Sequence, residues 1–261
     1  MRSFLHNLIN ADDEPLSINS LNSFIKGESS ALLYRQFTDL SPTDLNLEKL
    51  AALRPKVHHL LINDKPDNVF VKTHSFLGQS FDVPTITPEV TAGAIYIVRN
   101  PLDICISLAN HIGKSIDEVI EWMGKDTVGE SNEYKVMELW RSWSANVLTW
   151  TKYPQKEILV VRYEDLQEDK AESFGAVVKS LGLDFPESKI QKAIKFSSFE
   201  IMRNQEDKER FKESSPHSRR FFRKGIKGEW KEKLTKDQVD RLVEDHYEQM
   251  KLFGYLPDQQ S

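Results

Sequence analysis

Cysteine is nearly absent from this sequence: Cys105 is the only one in 261 residues, so no disulfide can form within the chain. A lone thiol is typical of a protein in a reducing compartment. Long apolar runs are absent too, since none approaches the ~20 residues that cross a bilayer. The opening MRSFLHNLINADDEP lacks the uninterrupted apolar stretch of a signal peptide. We therefore expect a cytoplasmic protein with no membrane partner.

An excess of basic side chains is also lacking. Lysine and arginine together number 35 against 40 aspartates and glutamates, which gives a formal net charge of −5. No overall positive field therefore draws this chain to nucleic acid or to an anionic membrane. We expect no nucleic-acid partner, and any bound anion must be held by a local group of cations.

The motifs of several nucleotide and metal enzymes are missing. The sequence has no GxxxxGK(S/T), no GxGxxG, no HExxH and no cysteine cluster. A Walker-type NTPase and a zinc protease are therefore unsupported. The seven histidines do not stand at the spacings of metal ligands, so we predict no metal site.

Short apolar segments alternate with helical patterns along the chain. The predicted strands are Asn68–Val71, Ala94–Val98 and Ile158–Val161, each short and continuous as in strands buried on both faces of a parallel sheet. The clearest helical patterns cover Glu133–Trp150 and Lys236–Phe253, each with one apolar face. This alternation predicts an α/β fold with a doubly wound, mainly parallel sheet flanked by helices.

Each predicted strand runs directly into polar side chains. Lys72 and His74 follow the first strand, Arg99 follows the second, and Arg162 and Tyr163 follow the third. In open α/β sheets, ligands bind outside the carboxyl ends of the strands. We therefore expect these side chains to line one polar crevice.

Arg99 stands directly before a predicted helix start. Pro101 suits the first turn of a helix, because its missing N–H would have no partner there. Free N–H groups, the positive end of the helix dipole and a guanidinium together form an anion site. Ser107, about two helical turns further on, could add a hydroxyl. The alternative is that Arg99 pairs with a carboxylate and Ser107 is a small packing residue.

Lys72 and His74 are two residues apart, so in an extended segment both side chains point to the same side. A cation close to an imidazole favours its neutral form, which suits a general base acting on a hydroxyl. The alternative is a capping histidine beside a solvated lysine.

A local basic segment, FFRKGIKGEWKEKLT, covers residues 221–235. Its glycines, Gly225 and Gly228, stand among three cations and would let the backbone approach an anion closely. The cations are Arg223, Lys224 and Lys227. The alternatives are a solvated loop and a nucleic-acid patch, and the acidic composition argues against the second.

Five segments taken in order, VKTH, IVRNPLDICIS, RYEDL, SSFE and FFRKGIKGEWKEKLT, resemble the cytosolic-type sulfotransferase family, particularly its bacterial members. The resemblance implies a single domain over residues 1–261 with the P-loop-kinase-like sulfotransferase fold. It also implies sulfuryl transfer from 3′-phosphoadenosine 5′-phosphosulfate to a hydroxyl or amine of a small acceptor, without a metal.

The resemblance assigns the phosphate-binding residues of the donor site. Arg99 and Ser107 match the residues that bind the 3′-phosphate of the donor nucleotide. Arg223, Lys224 and Gly225 match the loop that closes over the same phosphate.

The resemblance also assigns adenine-binding and catalytic residues. Tyr163, Ser197 and Phe199 match residues around the adenine. His74 matches the catalytic base, and Lys72 matches a lysine close to the transferring group.

Two departures from the family pattern stand out. The family has a strand and a phosphate loop like YPKSGTTW before its first helix, whereas this chain opens on the helix, so we expect the first strand and that loop to be missing. The dimer-like motif KxxxTVxxxE reads KEKLTKDQVD here, with Lys236 after Thr235 and Asp240 in place of the glutamate. Dimerisation by that motif is therefore uncertain.

Two non-enzymatic functions remain as alternatives. The first is a catalytically inactive protein that binds adenosine 3′,5′-bisphosphate, with the phosphate-binding residues kept and the catalytic loop lost. The second is an interaction module on the same fold, with Trp140, Trp143 and Trp150 partly exposed.

Overall fold

The computed structural model of the protein describes residues 1–63, 69–126, 129–152, 157–218 and 220–258. The strands within these ranges are β1 Lys26–Gly27, β2 Val71–Lys72, β3 Gln79–Ser80, β4 Val83–Pro84, β5 Ala94–Val98 and β6 Ile158–Arg162. The helices are α1 Arg2–Asn10, α2 Leu21–Phe24, α3 Ala31–Tyr34, α4 Leu47–Ile62, α5 Pro101–Ile112, α6 Ile116–Gly124, α7 Trp143–Thr151, α8 Asp165–Glu168, α9 Lys170–Ser180, α10 Glu187–Phe196, α11 Phe199–Lys208, α12 Trp230–Lys233 and α13 Lys236–Leu252.

The strands form pairs, and two of the pairs are parallel. In the first, β1 pairs with β2 in a parallel register. In the second, β5 pairs with β6: the N–H of Ala94 donates to the carbonyl of Glu157, and the N–H of Tyr163 donates to the carbonyl of Val98. Both strands run the same way along this ladder, as parallel strands do. The third pair, β3 with β4, is an antiparallel hairpin.

The chain divides into two compact units. The first comprises Met1–Leu21, Ile95–Gly124 and Leu159–Ser261, and the second comprises Asn22–Ala94 and Lys125–Ile158. The expectation of a single domain over residues 1–261 stays a prediction.

Helix packing builds the first unit. The helix that follows β5, α5, packs against α6, α12 and α13, while α1 packs against α10. Burial of apolar side chains is the main source of stability for such helix layers. The buried side chains of this part include Val98, Leu102, Ile120, Leu242 and Met250.

In the second unit, α4 packs against the β3–β4 hairpin and against α3. Its N-cap is Asn46, whose side chain accepts the N–H of Lys49 and so satisfies one of the free donors at the helix start. A core cluster of this unit comprises Tyr34, Leu45, Leu50, Val57, Leu61 and Val136.

Two of the three predicted strands lie where expected, the first is displaced, and the burial of the second differs from the prediction. The second strand covers Ala94–Val98 as predicted, and the third extends one residue further, to Arg162. The first is displaced to Val71–Lys72, and Asn68 lies outside the described residues. Burial on both faces was expected, but Ile97 is exposed while Val98 is buried, so β5 has one solvent-facing side.

One helix prediction is confirmed and the other is half wrong. The last helix runs over Lys236–Leu252, as its apolar periodicity predicts. Residues 133–142 are not helical, and α7 begins only at Trp143. The N–H of Val136 donates to the carbonyl of Ser29, and the carbonyl of Leu139 accepts the N–H of Phe76. These backbone groups therefore bond to distant segments and cannot form a helical ladder.

Candidate active site

The segment that follows β2 carries His74 and is held by the side chains of α7. Asn146 donates its amide to the carbonyl of His74 at 3.2 Å, and Trp150 donates its indole N–H to the carbonyl of Ser75 at 3.2 Å. A short segment outside any long strand has few backbone partners of its own, and these side chains supply them. His74 is therefore fixed at its backbone while its side chain stays half exposed.

A buried carboxylate, Glu28, holds the residues on either side of His74. Its Oε1 accepts the hydroxyls of Thr73 at 2.6 Å and Ser75 at 2.8 Å. Its Oε2 lies 2.8 Å from Nε2 of His58. Burial alone would raise the pKa of Glu28, but the hydrogen bond from His58 and the charge of Arg54 outweigh it, so the pKa is lowered.

A second buried carboxylate, Glu138, contacts His74 directly. Nδ1 of His74 lies 2.9 Å from Oε1 of Glu138. The hydroxyl of Ser29 donates to the same oxygen at 3.1 Å, and the indole N–H of Trp140 donates to Oε2 at 3.3 Å. The histidine is thus bonded through one ring nitrogen to a carboxylate that is itself fixed by two further donors.

The environment of Glu138 keeps it ionised. Burial raises its pKa, but the hydrogen bond from His74 and the nearby positive charges, Lys135 and Lys72 among them, outweigh burial and lower the pKa to about 2. Lys72 and His74 both lower the pKa of this one carboxylate; that their side chains point to the same side stays a prediction. Sequence reasoning missed Glu138, because the segment around it was interpreted as a helix.

In the first unit, Arg99 follows β5 directly and lies over an aromatic ring. Its guanidinium carbon is 4.4 Å from the ring centroid of Tyr163, a cation–π distance. The next residue, Asn100, caps α5 by accepting the N–H of Leu102 at 3.0 Å, and Pro101 occupies the first helical turn. The predicted helix start is confirmed, and Arg99 and Tyr163 come together as strand-end residues.

The buried side chain of Glu164 fixes the chain next to Arg99. Its Oε1 accepts the N–H of Asn100 at 3.1 Å, and its Oε2 accepts the hydroxyl of Tyr255 at 2.7 Å. Burial, followed by the hydrogen bond to Glu164, raises the pKa of Tyr255, so its hydroxyl stays protonated. Glu164 therefore joins the end of β5 to the segment after the last helix.

The basic segment is neutralised by a carboxylate of its own. Arg223 donates from both terminal nitrogens to the two oxygens of Glu229, one of them at 2.7 Å, and Nζ of Lys224 lies 3.0 Å from Glu229. The hydrogen bond from Arg223 and the contribution of Lys224 outweigh burial and lower the pKa of Glu229 to about 2. The bidentate pairing fixes the guanidinium plane.

Asp103 ties this basic segment to the start of α5. Its buried carboxylate accepts the N–H of Gly228 at 2.7 Å and the N–H of Trp230 at 3.1 Å. Asp103 lies in the first turn of the helix that follows Arg99. Two parts of the predicted anion site, far apart in sequence, are therefore linked within the first unit.

Gly225 is held in a conformation that only glycine adopts easily. Its φ is +61°, and a Cβ at this position would collide with the ring of Phe199. Gly225 and Phe199, both predicted site residues, are thus in contact. Ser107 is exposed on α5, and the hydroxyl of Ser197 donates to the carbonyl of Ala193 within its own helix end.

Within the described residues, no group of three or more histidine, cysteine, aspartate or glutamate side chains could hold a metal ion. In the same part of the chain, no helix is both long enough and apolar enough to span a membrane.

A family model of the sulfotransferase domain matches residues 17–254. The match covers most of the chain, which therefore belongs to the sulfotransferase domain family. The resemblance inferred from the sequence is confirmed at the level of the family.

Individual relatives include mammalian sulfotransferases. Mouse sulfotransferase 1 family member D1 is 28% identical over 199 residues, which cover 73% of this chain and 64% of the mouse protein. The 3-beta-hydroxysteroid sulfotransferase of guinea pig (Cavia porcellus) is 26% identical over 178 residues, which cover 64% of this chain and 58% of that protein. The chain thus matches less than two thirds of the length of these relatives.

Solved structures share the fold. A mouse sulfotransferase complexed with PAP superposes with a TM-score of 0.55 at 20% identity, covering 89% of this chain and 88% of that one. Retinol dehydratase in complex with androsterone and PAP gives a TM-score of 0.64 at 18% identity, covering 96% and 76%. Because the identities are low, the likeness concerns the fold, and the predicted α/β sulfotransferase fold is confirmed.

Proposed function

We propose that the protein is a sulfotransferase that moves a sulfuryl group from 3′-phosphoadenosine 5′-phosphosulfate to a hydroxyl or amine of a small acceptor. The observation that carries this proposal is a contact in the first unit that joins two segments with basic side chains, the start of α5 and the basic segment of residues 221–235. Asp103 ties the segment of Arg223 and Lys224 to the helix that begins behind Arg99. Membership of the sulfotransferase domain family supports the same activity.

The donor nucleotide is proposed to bind in the first unit through its phosphates. Arg99 and Ser107, with Arg223, Lys224 and Gly225, are assigned to the 3′-phosphate. Arginine suits this task because its fork of donors matches phosphate oxygens. The ring of Phe199 fills the space beside Gly225 that a side chain would take, so a residue assigned to the adenine and a residue assigned to the phosphate loop lie next to each other.

The adenine is proposed to lie against Tyr163, Phe199 and Ser197. Aromatic rings offer flat apolar faces to a base. Tyr163 already carries the guanidinium of Arg99 on its ring, which places an aromatic face and a phosphate-binding cation side by side.

The catalytic residues are proposed to be His74 and Lys72. A bond forms between the acceptor oxygen and sulfur, while the bond from sulfur to the bridging oxygen of the 5′-phosphate breaks and leaves its electron pair on that oxygen. His74 takes the proton of the acceptor hydroxyl, and Lys72 stabilises negative charge as it develops. Such charge stabilisation is usually the largest catalytic contribution, and no metal is assigned to it.

Finer assignments stay predictions. A small acceptor with a hydroxyl is in keeping with relatives named for steroids and with a structure that contains androsterone. Three further predictions rest on the sequence: bacterial membership, a cytoplasmic location, and the absence of a nucleic-acid or membrane partner. The sequence leaves dimerisation undecided, since the dimer-like motif departs from the family pattern at Lys236 and Asp240.

The test is to compare wild-type protein with His74→Ala for sulfuryl transfer to a panel of phenols, alcohols and amines. We expect turnover to fall by at least about 10²-fold, the lower end for a general base, while adenosine 3′,5′-bisphosphate binds with unchanged affinity. Turnover in His74→Ala at the wild-type rate would remove His74 from the mechanism. Nucleotide binding by the wild type without any turnover would favour the inactive binding protein.

A further inference from the structure

His74 is bonded to Glu138 through one particular ring nitrogen. The pair joins Nδ1 of the histidine to Oε1 of the carboxylate at 2.9 Å. Only 6% of the Glu138 side chain is exposed, against 48% of the His74 side chain. One edge of the imidazole is therefore held in the protein interior and the rest of the ring is accessible to solvent.

The chemistry of the carboxylate decides where the imidazole hydrogen lies. An ionised carboxylate can only accept hydrogen bonds, so the contact requires a hydrogen on Nδ1. Glu138 is held in place by two other donors, the hydroxyl of Ser29 and the indole N–H of Trp140. A neutral imidazole with its hydrogen on Nδ1 carries its lone pair on Nε2.

We propose that Glu138 is the positioning residue of this site: it fixes His74 in the tautomer whose Nε2 accepts the proton of the acceptor. The inference rests on the proposed function for the identity of that proton, which leaves the acceptor hydroxyl and goes to the lone pair of Nε2. When the imidazole gains the proton, the Glu138 carboxylate stays ionised and its pair with His74 becomes an ion pair. The same carboxylate also holds the ring plane, so the direction of the Nε2 lone pair is fixed.

The charges around the pair support this arrangement. Lys72 and Lys135 both act on Glu138 and favour its ionised form. The neighbouring carboxylate, Glu28, bonds to His58 and does not take part in this contact. The described residues of the second unit thus include two carboxylate–histidine pairs, of which the Glu138–His74 pair contains the proposed base and the Glu28–His58 pair provides a matched control.

The experiment is ¹⁵N NMR of the imidazole nitrogens in wild type, Glu138→Gln and the control Glu28→Gln. In wild type we expect His74 to show a protonated Nδ1 and a bare Nε2. In Glu138→Gln we expect a mixture of His74 tautomers with His58 unchanged, because an amide can donate to Nδ1 as well as accept from it. Glu28→Gln should do the reverse: its amide oxygen can still accept the hydroxyls of Thr73 and Ser75, so His74 should stay as in wild type, while the amide NH₂ faces His58 and alters its tautomer.

Kinetics supply the second measurement. For Glu138→Gln we expect kcat to fall by about 10²-fold, within the range of general base catalysis, with KM for donor and acceptor nearly unchanged. A His74 with its hydrogen on Nε2 in wild type would overturn the inference, whether or not the variant folds. Unchanged tautomer and unchanged kcat in Glu138→Gln would overturn it as well. If the wild type has no activity, the proposed function fails, and the wild-type spectrum still decides the role of Glu138.

Discussion

The carboxylate of Asp103 accepts the backbone N–H of Gly228 at 2.7 Å. It also accepts the N–H of Trp230 at 3.1 Å, so one buried side chain satisfies two backbone donors of the basic segment. These bonds start from the first turn of α5, four residues after Arg99. Asp103 therefore helps to place the segment that carries Arg223 and Lys224, although its own charge is opposite to theirs.

Replacement of Asp103 by asparagine should weaken both the fold and nucleotide binding. The amide NH₂ of asparagine would face a backbone N–H, which leaves a buried donor without a partner at a cost of about 1–3 kcal/mol. Urea unfolding measures the loss of stability, and calorimetry measures the affinity for adenosine 3′,5′-bisphosphate. Asp117→Asn is the control, since Asp117 pairs with Arg241 at an exposed surface. A loss of similar size in Asp117→Asn would show that the link has no special role.

Replacement of Arg99 or Arg223 by alanine should weaken binding of the 3′-phosphate selectively. Removal of a charged hydrogen-bond donor typically costs about 1.5–3 kcal/mol, so adenosine 3′,5′-bisphosphate should lose that much affinity. Adenosine 5′-monophosphate, which lacks the 3′-phosphate, should change little. Arg241→Ala, at an exposed ion pair, is the matched control. Equal losses for the two nucleotides would contradict the assignment.

Replacement of Glu229 by glutamine should strengthen nucleotide binding. Glu229 bonds to both Arg223 and Lys224, the groups assigned to the phosphate, and so competes with an incoming anion. Loss of this charge should raise the affinity for adenosine 3′,5′-bisphosphate several-fold, about 1 kcal/mol by the scale of partly exposed charge pairs. Calorimetry at two salt concentrations measures the effect. A weaker affinity would mean that Glu229 positions the two cations and does not compete.

Gly225→Ala should destabilise the protein more than Gly228→Ala. Both glycines have positive φ, +61° and +78°, so each alanine carries a backbone penalty of about 1 kcal/mol. Only at Gly225 would the new Cβ also collide with the ring of Phe199, whereas the space around Gly228 is open. Thermal unfolding and nucleotide affinity of the two variants give the comparison. Equal losses in both would assign the whole effect to backbone conformation.

Acid should remove a contribution of Glu138 to stability. Its pKa is about 2 in the folded protein against a usual 4.5, and this difference contributes about 3 kcal/mol at neutral pH. Because the folded-state pKa is lowered, the contribution is present above the unfolded pKa and is lost as the pH falls from about 5 towards 2. The stability gap between wild type and Glu138→Gln should therefore narrow over that interval in urea unfolding. A difference in unfolding free energy that stays constant from pH 5 to pH 2 would contradict the prediction. The control is Glu248→Gln, at an exposed position, which should be as stable as the wild type at each pH.

The sequence by itself determined the strands, caps and helices whose signals come from residues close together in the chain. The five apolar residues of β5, followed by Arg99, Asn100 and Pro101, specify a strand, a cap and a helix start within one short segment. The capping box of Thr235 and Gln238 and the apolar periodicity behind it specify α13 in the same way. In such segments local hydrogen bonds and apolar spacing agree, so the structure follows from the order of residues.

Tertiary structure alone decided the partners of the charged groups. His74 and Glu138 are 64 residues apart, and Asp103 and Gly228 are 125 apart. No local pattern marks such pairs, because they depend on where distant segments meet. For the same reason the sequence placed Glu138 on a helix: the apolar residues around it suit a helical face, but their backbone groups bond to Ser29 and Phe76 in other segments. Packing thus overrode local propensity where backbone hydrogen bonds to distant segments replaced those of a helix.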